Sequence, residues 1–562
     1  MAFYAGGWFR WRVHDVYPLL MALFRQLSTA GLLLGTLFFA FSLTPSLLPR
    51  PFVVQGIISG LSFTAGYGLG YAGYWLWAYL EFPFPGPRLE RAVKIAATAV
   101  CVLVATVFLR QAWEWQNSVR VLMELEEVSG IRPFSIALIA LAVFGILLFL
   151  VRLFHWTFLF LRRRLQPFLP RRVSNVMGIV AALGLFWALV DGVIFTLGLR
   201  AADNSYQQLD VLIQDDLEPP ADPMKTGSAE SLVTWEGLGG RGRRFVTSGP
   251  TGEDLSEFHG TALPDPIRVY VGLNAADTPE ERAQLALAEL RRVNAFDRSV
   301  LLIATPTGRG WVDPAAQDTV EYLHRGDVAT VTAQYSYLPS PLSLLLEGEY
   351  GVDTARALFA AVYEHWTQLP VNERPRLYLH GLSLGAMNSD LSFDFYDIIE
   401  DPFHGALWSG PPFRSRTWRT VTNSRTPDSP AWLPRFRDGS VVRFMNQHVG
   451  LEEQGEKWGA FRIAFLQYAS DPVTFFSPQT LWREPQWMRE PRGPDVSPDL
   501  TWYPIVTTLQ LFADIAVGGA PPGYGHEFAA EHYIDAWRAL TEPEGWPDAE
   551  IERLKARFAA EE

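Results

Sequence analysis

The chain has 562 residues, a formal net charge of −13 at pH 7 and 49% hydrophobic side chains. Residues 1–200 hold 17 Lys and Arg against 8 Asp and Glu, whereas the other 362 residues hold 30 against 52. The acidic second part has no basic stripe that could neutralise phosphates, so nucleic acid is not an expected partner. Cys101 is the only cysteine, which excludes a disulfide framework and a cysteine-based metal site, and we expect no metal and no cofactor.

The first 200 residues carry five apolar stretches that are long enough to be membrane spans. Roughly 20 apolar residues are needed to cross about 30 Å of hydrocarbon. Five such stretches are improbable as buried helices of a soluble core, so we predict a transmembrane helical domain over residues 1–200. The predicted spans are residues 28–47, 53–80, 92–109, 133–153 and 176–199.

The distribution of Lys and Arg in the connections predicts the orientation of this domain. Positive residues accumulate on the cytoplasmic side of membrane proteins, and the strongest cluster, residues 162–164 with Arg171 and Arg172, follows the fourth predicted span. Placing this cluster in the cytoplasm puts ten basic residues inside and four outside. Five spans then bring the C-terminal domain to the outer side of the membrane.

The second part of the chain alternates between strand and helix patterns. Residues 201–235 are mostly polar and rich in proline, which indicates a linker before a domain over residues 236–562. Short apolar runs typical of buried parallel strands alternate with amphipathic segments, so we predict a doubly wound, mostly parallel α/β sheet. Strands are predicted near 268–272, 299–304, 329–334, 376–380, 406–408 and 464–468, and helices near 278–293, 354–367 and 531–539.

The segment Gly381-Leu-Ser-Leu-Gly385 has the pattern of a nucleophile elbow. It follows a predicted strand and precedes a plausible helix, and this context distinguishes an elbow from a chance match. The glycines allow a tight turn that holds the Ser383 hydroxyl over the edge of the sheet. There the backbone N–H of Leu384 could stabilise a developing oxyanion. We therefore predict that Ser383 is a nucleophile.

A serine nucleophile needs a base and an acid, which follow it in the chain in the order Ser, acid, His. His526 lies in a glycine-flanked loop before the last predicted helix, and we favour it over His532, which lies within that helix. Asp471, directly after a late predicted strand, is the expected acid, although an Asp-Pro turn would also explain it. His380 is expected to be a structural neighbour of the serine, and His404 and His448 come before the acid.

A second oxyanion donor is expected from a loop that leaves an earlier strand. The segment Thr305-Pro-Thr-Gly-Arg-Gly-Trp311 follows the strand predicted at 299–304 and is rich in glycine. Such a turn can present backbone N–H groups. We therefore predict a donor within residues 307–310, with Thr307 and Gly308 as the candidates.

These motifs together resemble the bacterial membrane-anchored α/β-hydrolase family, in which an N-terminal multi-span domain is fused to a C-terminal serine-hydrolase-like domain. The resemblance implies a catalytic triad of Ser383, Asp471 and His526 and a location in the bacterial inner membrane. The chain departs from the family pattern at Leu382 and Arg309, which are not triad positions. The motifs that carry the resemblance are Ser42-Leu-Thr-Pro-Ser-Leu-Leu-Pro-Arg50, Pro266-Ile-Arg-Val-Tyr-Val-Gly-Leu273, Thr307-Gly-Arg-Gly-Trp-Val-Asp313, Gln334-Tyr-Ser-Tyr-Leu-Pro339, Gly410-Pro-Pro412, Ser470-Asp-Pro472, Gly525-His526 and the elbow.

The residues and the resemblance favour a membrane-tethered serine hydrolase, esterase- or lipase-like, that forms an acyl-enzyme. Its expected partners are the lipid bilayer and an ester substrate, a lipid or envelope acyl ester. An acyltransferase with the same triad is one alternative. A transport or sensor protein with a hydrolase-fold cap is another, and only Asp191 and Lys94, charged residues in predicted spans, favour it. A hydrolase fold without catalysis is a third alternative.

Overall fold

The computed structural model describes residues 27–130, 132–188, 217–337, 350–452, 455 and 457–560. Its N-terminal part is helical. The helix α3 of this part, with 36 residues, is about 54 Å long, more than the thickness of a bilayer core. The five helices among the described residues of this part are α1 (Thr29–Ser42), α2 (Phe52–Tyr79), α3 (Pro87–Leu122), α4 (Pro133–Leu165) and α5 (Arg171–Trp187).

The prediction of five spans is wrong for the described residues, because only α2, α3 and α4 are long and apolar enough to cross a membrane. The stretch 28–47 forms a helix of 14 residues, about 21 Å long, which is short of the hydrocarbon thickness. This helix ends before Pro45, and the residues between it and α2 pack against the C-terminal domain. The stretch 176–199 is described as far as residue 188, and Asp191 lies outside the described residues.

Glycines let α2 pack closely against its neighbours. A Cβ atom on Gly60 would lie 2.7 Å from Val143 Cβ on α4, and one on Gly70 would lie 2.4 Å from the Ala30 carbonyl oxygen on α1. Such distances are shorter than atomic contacts allow, so a larger residue would separate the helices. Lys94 on α3 forms an exposed ion pair with Glu90, four residues earlier, at 2.6 Å. Lys94 therefore has a charge partner on its own helix.

In the described residues of the C-terminal part, seven parallel strands form a single sheet, as the alternating pattern predicts. Six of the seven strands lie within a few residues of the predicted positions. The missed strand, Val442–Met445, has four residues and lies at the edge of the sheet. The strands are β1 (Ile267–Val271), β2 (Val300–Thr305), β3 (Val328–Ala333), β4 (Arg376–Leu382), β5 (Gly405–Ser409), β6 (Val442–Met445) and β7 (Arg462–Leu466), in the order β1-β3-β2-β4-β5-β7-β6.

Helices precede the sheet, connect its strands and follow its last strand, and they include the predicted helical regions 278–293, 354–367 and 531–539. The end of the predicted linker packs onto this domain, because Val233 and Trp235 belong to its buried core. The helices are α6 (Gly239–Thr247), α7 (Gly252–His259), α8 (Pro279–Arg292), α9 (Pro314–Leu323), α10 (Tyr350–Gln368), α11 (Leu384–Asp390), α12 (Phe395–Ile398), α13 (Arg416–Asn423), α14 (Pro472–Phe475), α15 (Val506–Val517), α16 (Ala530–Thr541) and α17 (Asp548–Ala559).

Candidate active site

Ser383 lies in the sharp turn between β4 and α11, where its backbone has φ +57° and ψ −122°. A positive φ is unfavourable for a residue with a side chain, and such strain is typical of a nucleophile elbow. The flanking glycines are required by close packing. A Cβ on Gly381 would lie 2.3 Å from the carbonyl carbon of Gly385, and one on Gly385 would lie 2.2 Å from the Thr305 carbonyl oxygen.

The turn is anchored to the neighbouring strand β5. The Ser383 N–H donates to the carbonyl oxygen of Ser409, the last residue of β5, at 2.9 Å. Leu384 is the first residue of α11, so its N–H is one of the N-terminal groups that have no partner within the helix. The serine therefore lies at the carboxyl edge of the parallel sheet, where sites of this fold class are found.

His526 and Asp471 are joined by a hydrogen bond of 2.8 Å between Nδ1 and Oδ2. The Asp471 carboxylate is fully buried, and it also accepts from the Val473 N–H at 2.8 Å and from the Thr474 hydroxyl at 2.9 Å. These bonds fix the carboxylate at the start of α14. The Asp-Pro turn and the pairing with His526 therefore coexist at this aspartate.

The His526 ring lies beside the elbow turn. A Cβ on Gly410 would be 2.6 Å from His526 Cε1, and Gly410 directly follows Ser409, which anchors Ser383. His526 Nε2 is buried and has no hydrogen-bond partner among the described residues. The structure thus brings Ser383, Asp471 and His526 to one end of the sheet, with one ring nitrogen held by the carboxylate and the other unpartnered.

The loop 305–311 lies against the elbow, but one of the two N–H groups predicted as oxyanion donors already has a hydrogen-bond partner within the loop. The Thr307 N–H donates to the Trp311 carbonyl oxygen at 2.9 Å, and the Gly310 N–H donates to the Thr307 carbonyl oxygen at 2.9 Å. The expectation for Thr307 is therefore corrected, because its N–H is used to close the turn. Gly308 stays a prediction.

Comparison with known proteins adds the decisive observation. The model of the alpha/beta-hydrolase family matches residues 267–554, which is more than half of the chain. The chain belongs to this family. The model of the N-terminal part of the alpha/beta-hydrolase family matches residues 43–250, so the resemblance seen in the sequence is confirmed on both sides. No curated protein and no solved structure matches the chain significantly.

Charges in this alpha/beta-hydrolase domain act on the pKa of His526. Burial by itself lowers that pKa, but the Asp471 carboxylate outweighs burial, so the pKa lies above its ordinary value of 6.5. Glu527, the next residue, has a raised pKa because it is partly buried and lies near Asp471. The negative charges around the ring thus stabilise the protonated, positively charged form of His526.

Two other histidines of the hydrolase domain, His532 and His380, have structural contacts. His532 Nδ1 is hydrogen-bonded to the Tyr468 hydroxyl at 2.7 Å, and burial lowers the pKa of His532 to about 4. His380 lies next to the elbow as expected, with Nδ1 hydrogen-bonded to the Leu407 carbonyl oxygen at 2.9 Å. Burial lowers the pKa of His380 to about 4 as well. Neither ring is placed like His526.

Two buried groups near the site were missed in the sequence. Asp313 caps α9 by accepting from the Ala315 N–H, and burial raises the pKa of Asp313 to about 7. The Tyr533 hydroxyl lies close to Asp313 and Ser409. Asp313 ends the motif Thr307-Gly-Arg-Gly-Trp-Val-Asp313, and this position could have indicated a residue near the site. Tyr533 is one aromatic residue among many in a helix pattern, so the sequence carries no such indication for it.

Proposed function

We propose that the protein is a membrane-tethered serine hydrolase that forms an acyl-enzyme at Ser383. The observation that carries the proposal is the His526–Asp471 hydrogen bond beside a strained serine turn. Family membership indicates hydrolase activity. The roles of Ser383, His526 and Asp471 follow from chemistry, because a buried carboxylate orients the imidazole and stabilises its cation.

In the proposed reaction the Ser383 Oγ attacks an ester carbonyl while His526 Nε2 takes the hydroxyl proton. The Leu384 N–H stabilises the oxyanion of the tetrahedral intermediate, together with a donor from the loop 305–311. The alcohol leaves with the proton that His526 returns, and Ser383 stays acylated. Water then attacks the acyl carbon while His526 Nε2 takes its proton; the bond from this carbon to Ser383 Oγ breaks, His526 returns the proton to Oγ, and the acid is released.

A series of packed aromatic rings between the region of the site and a helix that contacts α1 and α2 supports a lipid acyl ester as substrate. Phe413 comes three residues after Gly410, which contacts His526, and its ring packs on Phe476 with 5.5 Å between centroids. Phe476 in turn packs on Phe512 at 5.2 Å, and Phe512 is 55% exposed. Phe512 lies on α15, a helix that contacts α1 and α2.

The positions of basic residues support an outer location for the hydrolase domain. This domain contacts the end of α3 through Ser118, whose hydroxyl is 2.7 Å from the Ser497 hydroxyl. The opposite ends of the long helices carry Arg88 and Arg91 at the start of α3 and the arginines at 162–164 at the end of α4. Because basic residues favour the cytoplasmic side, we propose that the hydrolase domain lies outside the cytoplasm.

Labelling of the full-length protein with a fluorophosphonate tests the proposal, since this probe reacts with activated serines. We expect labelling of the wild type, none with Ser383→Ala, and normal labelling with Ser424→Ala, which changes an exposed serine. Wild type and Ser424→Ala should also hydrolyse p-nitrophenyl esters, and Ser383→Ala should not. Equal labelling of wild type and Ser383→Ala would refute the proposed nucleophile.

A further inference from the structure

The segment of residues 43–50 connects α1 to α2 and packs into the hydrolase domain on the way. Leu47 is 1% exposed and belongs to the main hydrophobic core of that domain. Its N–H donates to Asp514 Oδ2 at 3.1 Å, and the Ser46 hydroxyl donates to Asp514 Oδ1 at 2.9 Å. The Gln510 side chain on the same helix, α15, donates to the Thr44 carbonyl oxygen at 3.0 Å.

Leu48, in the same segment, touches the loop that carries His526. Leu48 is 2% exposed and clusters with Val119 and Met123 of the helical domain and with Ala520 and Tyr524 of the loop. Gly525, which adopts φ +59°, has no room for a side chain, because a Cβ there would lie 2.9 Å from Leu48 Cδ2. Leu48 therefore packs directly under the residue that precedes His526.

Gly525 is also held by the residue next to Asp471. The Gly525 N–H donates to the Ser470 hydroxyl oxygen at 2.9 Å, and the Ser470 hydroxyl donates to Asp495 Oδ2 at 2.5 Å. The Ser470 hydroxyl and the Leu48 side chain thus both hold the His526 loop at Gly525. Loss of either contact would let the loop move, since glycine restrains its own backbone least of all residues.

We propose that Leu48 is a positioning residue of the hydrolase site, so that the N-terminal domain completes the site it is joined to. This inference rests on the proposed role of His526 as the base. Leu48 does not touch the reacting atoms. It holds the 519–528 loop so that His526 can reach Ser383 while it keeps its bond to Asp471. A displacement of about 1 Å in such a group can lower a rate about 100-fold.

The test uses full-length protein in lipid nanodiscs and compares Leu48→Ala with wild type. Amide hydrogen exchange of residues 519–528 should rise about tenfold, because the loop opens locally more often. The labelling rate at Ser383 should fall about tenfold or more. The inflection of its pH profile should move towards the ordinary pKa of histidine, because the bond to Asp471 loosens. Loss of stability alone would leave that inflection unchanged.

Three further variants keep the test decisive. Leu48→Met should restore most of the wild-type rate, because it refills the volume beneath Gly525. Leu48→Val removes less volume and answers the question if Leu48→Ala does not fold. Leu33→Ala makes the same chemical change at a 38% exposed position of α1 and should behave like wild type. Exchange at 300–305, in β2, should be equal in all folded variants.

The two hypotheses fail in distinguishable ways. If wild type is labelled no more than Ser383→Ala, the proposed function fails and loop exchange alone decides the role of Leu48. If wild type is labelled but folded Leu48→Ala keeps the wild-type labelling rate, the positioning role is overturned and the function stands. Unchanged exchange at 519–528 in Leu48→Ala overturns the positioning role in either case.

Discussion

Arg50 and Asp514 form a fully buried ion pair, with Arg50 Nε 3.2 Å from Asp514 Oδ1. Arg50 ends the segment that follows α1, and Asp514 lies on α15 of the hydrolase domain, so the pair joins the two parts of the chain. Arg50 is tied to α3 as well, because its N–H donates to Gln116 Oε1 at 2.9 Å. Two charges without access to water are tolerated here because each neutralises the other.

Removal of one charge from this pair should destabilise the protein strongly. Asp514→Asn keeps the shape of the side chain but leaves the Arg50 guanidinium buried without a counter-charge. We expect the free energy of unfolding to fall by about 3–5 kcal/mol, measured by denaturant titration in detergent. Arg50→Met should have a similar effect.

The double variant Arg50→Met/Asp514→Leu should recover much of this loss, because no unpaired charge remains buried. Asp428→Asn is the matched control, since its pair with Arg435 is exposed and should contribute little to stability. A loss for Asp514→Asn no larger than that of the control would contradict the buried pairing.

The pH dependence of Ser383 labelling should report His526. A general base must be neutral, so the rate falls as the pH drops through the pKa of His526. Because Asp471 raises that pKa above 6.5, we expect the acid limb of the profile above pH 6.5. The contribution to stability has the opposite direction: protonated His526 stabilises the fold below pH 6.5, and this is lost as the pH rises through the folded pKa.

Asp471→Asn tests the cause of this shift. Burial then dominates and lowers the pKa of His526, so the acid limb should move below pH 6.5. The maximal rate should fall about 10⁴-fold, as expected when the ring loses its orienting carboxylate. Glu527→Gln is the control, because Glu527 raises the pKa less than Asp471 does. An unchanged acid limb in Asp471→Asn would show that another group titrates.

The sequence predicted the elements whose local pattern has one physical explanation. β4 and the elbow could be located because an apolar run followed by Gly381 and Gly385 admits few other structures. β6 was missed because Val442–Met445 is short and includes Arg443, whose guanidinium is bonded to the Gly439 and Leu451 carbonyl oxygens. Such a contact is not visible in a four-residue pattern.

The errors arose where tertiary contacts override local pattern. Residues 28–47 are apolar enough for a span, but Ser46 and Leu47 bond to a carboxylate far along the chain, Asp514. Thr307 was a reasonable donor by position, yet its N–H closes its own turn. Spacing along the sequence does not encode such contacts, and for the same reason it did not reveal the proximity of Asp313 and Tyr533.

Asp313 should make stability depend on pH. Its pKa is raised from 3.8 to about 7 by burial, so the folded state prefers the protonated form. The stability that this form contributes is complete below pH 3.8 and is lost as the pH rises to about 7, a loss on the order of 4 kcal/mol. Asp313→Asn keeps the cap of α9 without a charge, so it should stabilise the protein increasingly between pH 4 and 7.

Thermal unfolding of Asp313→Asn and wild type at several pH values would measure this effect. Asp499→Asn makes the same change at an exposed position and serves as the control. A difference between Asp313→Asn and wild type that stays constant from pH 4 to 7 would mean that Asp313 does not gain a proton in this range.

Phe512 should determine the preference for acyl chain length, if long chains bind along the rings of Phe413, Phe476 and Phe512. Phe512→Ser removes the exposed end of the ring series that passes through Phe476 to Phe413. We expect kcat/KM to fall about tenfold or more for esters with long chains, since lost apolar contacts of 1–3 kcal/mol change rates by about 10–200-fold. Short-chain esters do not reach Phe512 and should be hydrolysed at the wild-type rate. Tyr396→Ser, at an aromatic residue that is 88% exposed on α12, is the control, and an equal loss for short and long chains would contradict the proposed path.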